Sequence, residues 1–460
     1  MGGADVAAGA LLGSLDATRR ARFHAHGRTF DDRPLVRWQF AVISQPPAWR
    51  GGAARILNAH LRGIRLIREA GLADVRVTAI AARRLEDAAT FRLRGEGPPP
   101  RPPVSTNEKD PLGAPHLYVS DLHPDTLPEL YDDWRAMLEA DDIDAVLILA
   151  PVGLHHTMAL DAIAAGKHVL LEKPFAISVR AARQIVDAAA ARGVTVGVAE
   201  SVRYTEPTRA ARWVIDQGML GDLQLWISGG IGGGEWGPDN IVARTPWRHQ
   251  KLPGGGGPSI DWGVHLFHNI RYLMGSVAEI SAYTAILEPE RFERDQHGNV
   301  LASVTNEVED AFFANLRFEN GAIGTTFGGW AGRGAGSGLA KGSTIYGTGG
   351  SLVGNEVTLD SGLGGITTDL YARGAGAATR EATFPGGITD AFALEMLDFI
   401  NAIQTKTPME ASGEEGLMDL ATAFTLLESA TLNRPVTVDE VVAGTVDAYQ
   451  AEIDAHYGLD

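Results

Sequence analysis

Two runs, Ala145-Val-Leu-Ile-Leu-Ala-Pro151 and Ala165-Gly-Lys-His-Val-Leu-Leu-Glu-Lys-Pro174, flank a helical stretch over His156 to Ala165 that stops at Gly166. Each apolar run is too short for a helix and too continuous for a half-exposed strand, so each predicts a strand buried on both faces of a parallel sheet. Upstream, Trp38-Gln-Phe-Ala-Val-Ile43 is a third such run. Ala53 to Ala70 then places Ile56, Leu57, Leu61, Ile64 and Ile67 at helical spacing with Gly71 as a cap, and Val75 to Ala81 is the next strand. Strand, helix and strand in succession imply a right-handed crossover. Ala181 to Ala191, Gly193 and Val194 to Val198 repeat the pattern downstream. Residues 37–200 therefore predict an α/β Rossmann-like doubly wound domain. A proline-rich insertion over residues 95–115 interrupts it, and an N-terminal extension over residues 1–36 precedes it.

Beyond residue 200 the pattern changes. Gln224 to Gly229, Glu279 to Ala285, Glu309 to Phe318, Ala322 to Phe327, Thr344 to Tyr346 and Ser351 to Val353 read as strands with few helices between them. Helices return at Ala391 to Gln404 and Gly416 to Ser429. Residues 201–460 are expected to form an α+β domain for substrate binding and oligomerisation, with a large open, mostly antiparallel sheet.

Composition narrows the chemistry. With 40 Lys and Arg against 57 Asp and Glu, the formal charge of −17 disfavours broad attraction to nucleic acid or an anionic membrane. The absence of cysteine removes thiol nucleophiles, disulfides and thiolate metal sites. The 55 glycines gather in patches, which points to unusual turns or close backbone approach. No run of 18 apolar residues predicts a membrane span. Arg19 and Arg20 lack the apolar core that an export signal places after them, so the expected location is cytoplasmic.

Two constellations can carry a reaction. The strand ending at Glu172-Lys173-Pro174 delivers a lysine to the carboxyl edge of the sheet, where doubly wound folds bind ligands. The second is Asp261-Trp-Gly-Val-His265-Leu-Phe-His268, in which Asp261 and His265 share a helix face and His268 lies a turn further on. A carboxylate and an imidazole on one face suit proton abstraction from a hydroxyl. Gly254 to Gly257 precede this helix, and their bare backbone would let its start lie against a ligand.

These residues carry a family resemblance, joined in order by further landmarks. They are Ile143-Asp-Ala-Val146, His155, Glu200-Ser-Val-Arg203-Tyr204, Gly221, Trp247-Arg248, Phe318-Glu-Asn-Gly321, Gly347-Thr-Gly-Gly-Ser351, Phe399-Ile-Asn-Ala-Ile403 and Asn433-Arg-Pro-Val436. Over roughly residues 37 to 440 the chain resembles the Gfo/Idh/MocA oxidoreductases, the family of glucose-fructose oxidoreductase and inositol dehydrogenase. The resemblance implies NAD or NADP on the first domain and a sugar, glycoside or cyclitol against the second. It implies that Lys173 hydrogen-bonds the reacting hydroxyl, that His265 takes its proton, and that Asp261 orients the substrate and tunes both. Arg203, Tyr204, Trp247, Arg248 and His268 fall where the family lines its substrate pocket. Ser44, Gln45, Arg50, Pro151, His155, Glu172 and Lys173 fall along the cofactor site.

The chain also departs from the family pattern. Ile43 is followed by Ser44-Gln-Pro-Pro-Ala-Trp-Arg-Gly51-Gly52 in place of a Gly-x-Gly-x-x-Gly turn. Gly51 and Gly52 are expected to supply part of the turn, with Arg50 or Arg55 neutralising phosphate. The second strand ends in Ala81-Ala82-Arg83-Arg84 rather than in an acid, and arginine there favours the 2′-phosphate of NADP. His268 stands where many relatives have an aspartate. Asp261, His265 and His268 also suit a metal by type, but their crowding on one helix argues against it and no metal is expected. The expected activity is hydride transfer between a secondary hydroxyl and nicotinamide, in a homodimer or homotetramer. A glycosidase or lyase cycling a retained NAD, and a non-catalytic regulatory relative, stand as alternatives.

Overall fold

β1 (Arg37–Ile43) is buried from Phe40 onward and pairs in parallel with both β2 (Asp74–Ala81) and β4 (Ala145–Ile148). A strand flanked on both edges and covered on both faces must be apolar throughout, which the Phe-Ala-Val-Ile run satisfies. The computed structural model describes residues 37–44, 53–100, 111–232, 237–339 and 342–459. Helix α1 (Ala53–Glu69) returns the chain from β1 to β2, α2 (Leu85–Arg92) follows β2, and β3 (Glu129–Tyr131) takes the edge beside β2. Helix α3 (Val152–Ala164) leads from β4 to β5 (His168–Glu172), and α4 (Val179–Arg192) leads on to β6 (Val196–Ala199). The strand order is β3-β2-β1-β4-β5-β6 and every pair is parallel, so the switch of winding direction falls between β1 and β4.

The second sheet has ten strands. After α5 (Glu206–Asp216), β7 (Leu223–Ile231) runs through its middle. Helices α6 (Pro258–Asp261) and α7 (Gly263–Met274) precede β8 (Val277–Ala285). β9 (Glu290–Arg294) and β10 (Val300–Thr305) form a separate two-stranded hairpin. β11 (Ala311–Phe318), β12 (Ile323–Gly329), β13 (Ser337–Gly338), β14 (Thr344–Gly347), β15 (Gly350–Val353), β16 (Glu356–Leu359) and β17 (Gly364–Ile366) follow. All pairings are antiparallel except β12 with β7. Alternation on β11 shows the two faces: Phe312, Ala314, Leu316 and Phe318 are buried, whereas Phe313, Asn315 and Arg317 are exposed.

The C-terminal helices return to the first domain. Helix α8 (Ala391–Thr405) packs on α1, and Phe399 meets Phe40 edge-on with ring centroids 6.1 Å apart. Helix α9 (Gly413–Leu432) lies between α4 and β8, and Val198 N donates to Ala411 O (2.9 Å), which covers the free edge of β6. β18 (Val436–Thr437) then joins β8, and α10 (Ala451–Tyr457) closes the described chain. In space, therefore, residues 391–432 bind the two sheets together. Among the described residues no helix is long and apolar enough to cross a membrane.

Candidate active site

Lys173 leaves the carboxyl end of β5 and reaches the second domain. Its Nζ donates to the Asp261 backbone carbonyl (2.7 Å) and lies 3.6 Å from Asp261 Oδ1. The carbonyl is available because the helix breaks at Trp262, ending α6 at Asp261 and starting α7 at Gly263. One continuous helix was the simpler expectation, and the break is what gives Lys173 its anchor. Asp261 Oδ1 also faces Arg248 Nε at 3.2 Å, and the Arg248 guanidinium lies 4.3 Å over the Trp247 ring and donates to Thr245 Oγ1 (2.6 Å). Trp247 and Arg248 are thus brought directly to Asp261.

Burial alone would raise the Asp261 carboxyl, but Arg248, then Lys173, overcome it and hold the group well below its ordinary range. A depressed acid stabilises the fold above its unfolded value near 3.8, and that contribution disappears as pH falls through the lower folded value. The difference in melting temperature between wild type and Asp261→Asn should hence stay constant between about pH 5 and 8 and shrink below about pH 4, which thermal unfolding followed by circular dichroism measures.

His265 lies one turn beyond Asp261, half-buried, with Nδ1 in close contact with Glu200 Oε1. Glu200 follows β6 directly, as Glu172 ends β5, so both acids mark the carboxyl edge of the sheet. No role for Glu200 follows from its place in the sequence; its signal is a charged residue at the end of a fully buried strand. The Glu172 carboxylate is shared between His60 Nε2 (3.1 Å) and the Lys173 amide (3.1 Å).

Several expected contacts are replaced by packing. Tyr204 is fully buried and donates its hydroxyl to Asp398 Oδ2 (2.8 Å), so it faces the interior and not a substrate. Arg203 is buried against the Tyr272 ring (4.5 Å) and donates to the Glu410 carbonyl. His268 is fully buried, with Nδ1 2.5 Å from Asp419 Oδ2. His155 bridges the Pro174 (2.9 Å) and Ala150 (2.8 Å) carbonyls, so both ring nitrogens brace the ends of β4 and β5 and neither is left for a cofactor. The glycine run is filled by the protein itself: a Cβ on Gly257 would stand 1.8 Å from the Glu309 carbonyl oxygen, and one on Gly254 would stand 2.8 Å from that of Trp247. Glu309, hidden from sequence reasoning because its partners are about 50 residues away, accepts from Gly257 N (3.0 Å), Ser259 N (3.1 Å) and Ser259 Oγ (2.5 Å) and so fixes the start of α6.

The metal question resolves geometrically. Asp261 turns to Lys173 and Arg248, His265 to Glu200, and His268 to Asp419, so the three donors do not converge. The acidic and imidazole atoms that do converge among the described residues belong to His268, Glu415 and Asp419. Arg271 already supplies the cation there, with Nη1 against Asp419 and Nη2 3.3 Å from Glu415.

The cofactor-side residues fit a dinucleotide. Ser44 ends β1 with its amide on Ala81 O (2.8 Å) and its Oγ buried without a partner, at the edge where a pyrophosphate would run. Pro151 caps the start of α3. Arg83 is exposed just past β2, whereas Arg84 is engaged by Asp87 (2.8 Å) and Glu86 (3.6 Å). Gln45, Arg50, Gly51 and Gly52 lie outside the described residues, as do the N-terminal extension and residues 101–110 of the insertion; nothing of the Arg55 side chain is described.

Two family models match this chain. An oxidoreductase-family, NAD-binding Rossmann-fold model covers residues 122–200, and a GFO/IDH/MocA C-terminal domain model covers residues 208–353. The chain belongs to the Gfo/Idh/MocA oxidoreductases. As a member of that family it is an NAD-binding oxidoreductase. It is 27% identical to a 1,5-anhydro-D-fructose reductase of Ensifer adhaerens, over 65% of this chain and 80% of that one. It is 29% identical to a levoglucosan dehydrogenase of Pseudarthrobacter phenanthrenivorans over 42% of this chain, spanning about half (51%) of that protein's length. The solved structure of a levoglucosan dehydrogenase in complex with NADH and levoglucosan superposes with a TM-score of 0.65 over 87% of this chain and 99% of the other, at 21% identity, which speaks to the Gfo/Idh/MocA fold alone.

Proposed function

We propose that this enzyme transfers hydride between a secondary hydroxyl of a sugar, glycoside or cyclitol and the nicotinamide of NADP or NAD. The observation that carries it is the convergence of Lys173, Asp261, Arg248 and His265 at the carboxyl edge of the parallel sheet. The bound nicotinamide supplies the hydride acceptor. Lys173 spends two of its donor directions on Asp261 and turns the third to the substrate oxygen, where its charge stabilises developing alkoxide. His265, held through Nδ1 by Glu200, presents Nε2 to the hydroxyl proton. Asp261 holds Lys173 and Arg248 at fixed positions, and Arg248 and Trp247 line the substrate side. Specificity for a neutral polyol then comes from hydrogen-bonding groups and not from net charge. The test incubates purified protein with NAD or NADP and a panel of sugars, anhydrosugars and cyclitols, and follows reduced nicotinamide by absorbance. Stoichiometric accumulation supports net oxidation; no reduced nicotinamide with any polyol, in either direction, overturns it.

Arg83 is the residue we assign to the 2′-phosphate, since Arg84 is occupied by Asp87 and Glu86. A charge-assisted contact contributes about 1.5–3 kcal/mol, so Arg83→Ala should weaken NADP binding roughly 10- to 100-fold and leave NAD binding unchanged in a fluorescence titration.

The outer face of the second sheet is the surface we assign to a second subunit. Tyr283 and Phe313 are 72% and 57% exposed, and Phe313 pairs in register with Tyr283 and stacks on Phe327 at 5.4 Å. A second apolar row runs Ile323–Leu225–Tyr346 on the same face. Phe313→Glu should shift the native mass spectrum toward single chains, because the charge would be buried against an apolar row.

A further inference from the structure

His268 is too deep to meet substrate, yet it lies behind the candidate base. His265 and His268 are three residues apart on α7 and therefore share a face. Glu200 stands against that face, buried, with one oxygen on His265 Nδ1. Burial alone would raise the Glu200 carboxyl, but the imidazoles of His265 and then His268 hold it below its ordinary range, so it is an anion between two bases. On the far side, His268 Nδ1 meets Asp419, which Arg271 also binds. Asp419 is likewise held low against burial by His268 and Arg271. A proton on Nδ1 toward Asp419 leaves Nε2 of His268 as a lone pair, and that atom is buried with no hydrogen-bond partner. The other charged groups around it are Glu415 on α9, Arg203 on the turn after Glu200, and Arg212 of α5, whose Nη1 is taken by Tyr272 O (2.8 Å).

We propose that His265, Glu200 and His268 form a proton relay in which His268 Nε2 stores the proton taken from the substrate hydroxyl. This rests on the reading of His265 as the base. The hydroxyl O–H bond breaks and its proton bonds to His265 Nε2. The Nδ1 proton of the same ring passes to Glu200, and Glu200 passes a proton to His268 Nε2. His265 ends neutral, Glu200 ends as the carboxylate, and His268 ends as an imidazolium flanked by Glu200 and Asp419. No electron travels this path, since the C–H pair leaves as hydride; reduction runs the same steps backwards. The gain is electrostatic: an imidazolium at His265 would face the Lys173 and Arg248 cations, whereas one turn deeper it lies between two anions.

The test is a proton inventory, the rate of hydride transfer measured against the deuterium fraction of the solvent. Two or more protons moving together make the wild-type plot curve; a single transfer makes it straight. His268→Asn keeps a donor for Asp419 and removes Nε2. It should keep its melting temperature and nucleotide affinity, lose at least about tenfold in kcat, below the 10²–10⁴ of a direct acid–base group, and give a straight plot. A straight wild-type plot overturns the relay even if the variant fails to fold. So does a His268→Asn plot as curved as wild type, whatever its kcat, because that loss would be structural. If no reduced nicotinamide forms, or His265→Gln reacts like wild type, the underlying reading has failed instead.

Discussion

Lys173→Ala should bind dinucleotide with nearly wild-type affinity and lose about 10²–10³ in kcat, the range for removing one donor to a developing oxyanion. The ammonium is held at two points by Asp261, its carbonyl at 2.7 Å and its carboxylate at 3.6 Å, and a positioned cation of this kind acts in the transition state more than in binding. Removing it also leaves Asp261 with Arg248 alone, so the carboxylate is free to swing. Fluorescence titration of the nucleotide and single-turnover absorbance separate the two effects. Wild-type turnover in the variant would sink the assignment of Lys173. Lys173→Arg should rescue little, because a planar guanidinium cannot replace a tetrahedral ammonium held by a carbonyl and a carboxylate at once.

Asp310→Ala should destabilise the second domain by about 3–5 kcal/mol and lower its melting temperature by roughly 10 °C. Asp310 and Arg291 are both fully buried, 2.9 Å apart, and Asp310 also accepts from the Leu287 and Glu288 amides (2.8 Å each). The arginine is further held by the Gly237 and Trp330 carbonyls (3.2 Å each). Truncating the acid strands a guanidinium in the interior, and desolvation already draws Arg291 below its ordinary range. The double variant Arg291→Met/Asp310→Leu should recover most of the loss, since both charges leave together. Scanning calorimetry measures both, and a single variant that melts with wild type would show that water reaches the arginine. The consequence extends to catalysis. Glu309, the preceding residue, holds the start of the helix that ends at Asp261, so loosening this loop should lower kcat below the melting transition.

The parallel sheet was legible because each strand is buried on both faces and its composition follows from burial alone. The long strands of the second sheet showed through alternation. β3, β13, β16 and β17, of two to four residues, did not, because pairing and not composition fixes such short segments. The hairpin of β9 and β10 also escaped, since Glu290–Arg294 is mostly charged. At the site, Lys173, Asp261 and His265 could be named from motif and spacing. Tyr204, His155 and His268 could be named as well, but not their direction: a polar side chain beside a strand end can face the ligand or the protein, and only the partner, Asp398, Pro174 or Asp419, decides which.

Sequence by itself determined the two-domain α/β and α+β architecture, the lysine at the carboxyl edge of β5, the acid and base beyond the glycine run, and the absence of thiol chemistry. These follow from local composition and periodicity. Only the tertiary structure decided that Arg248 completes the Asp261 cluster, that Glu200 stands behind His265, that Glu309 fills the space above Gly257, and that residues 391–432 tie the two sheets together. Each of those rests on contacts between residues tens to hundreds of positions apart, where the energy of burial and ion pairing is set by the fold and leaves no periodic trace in the chain.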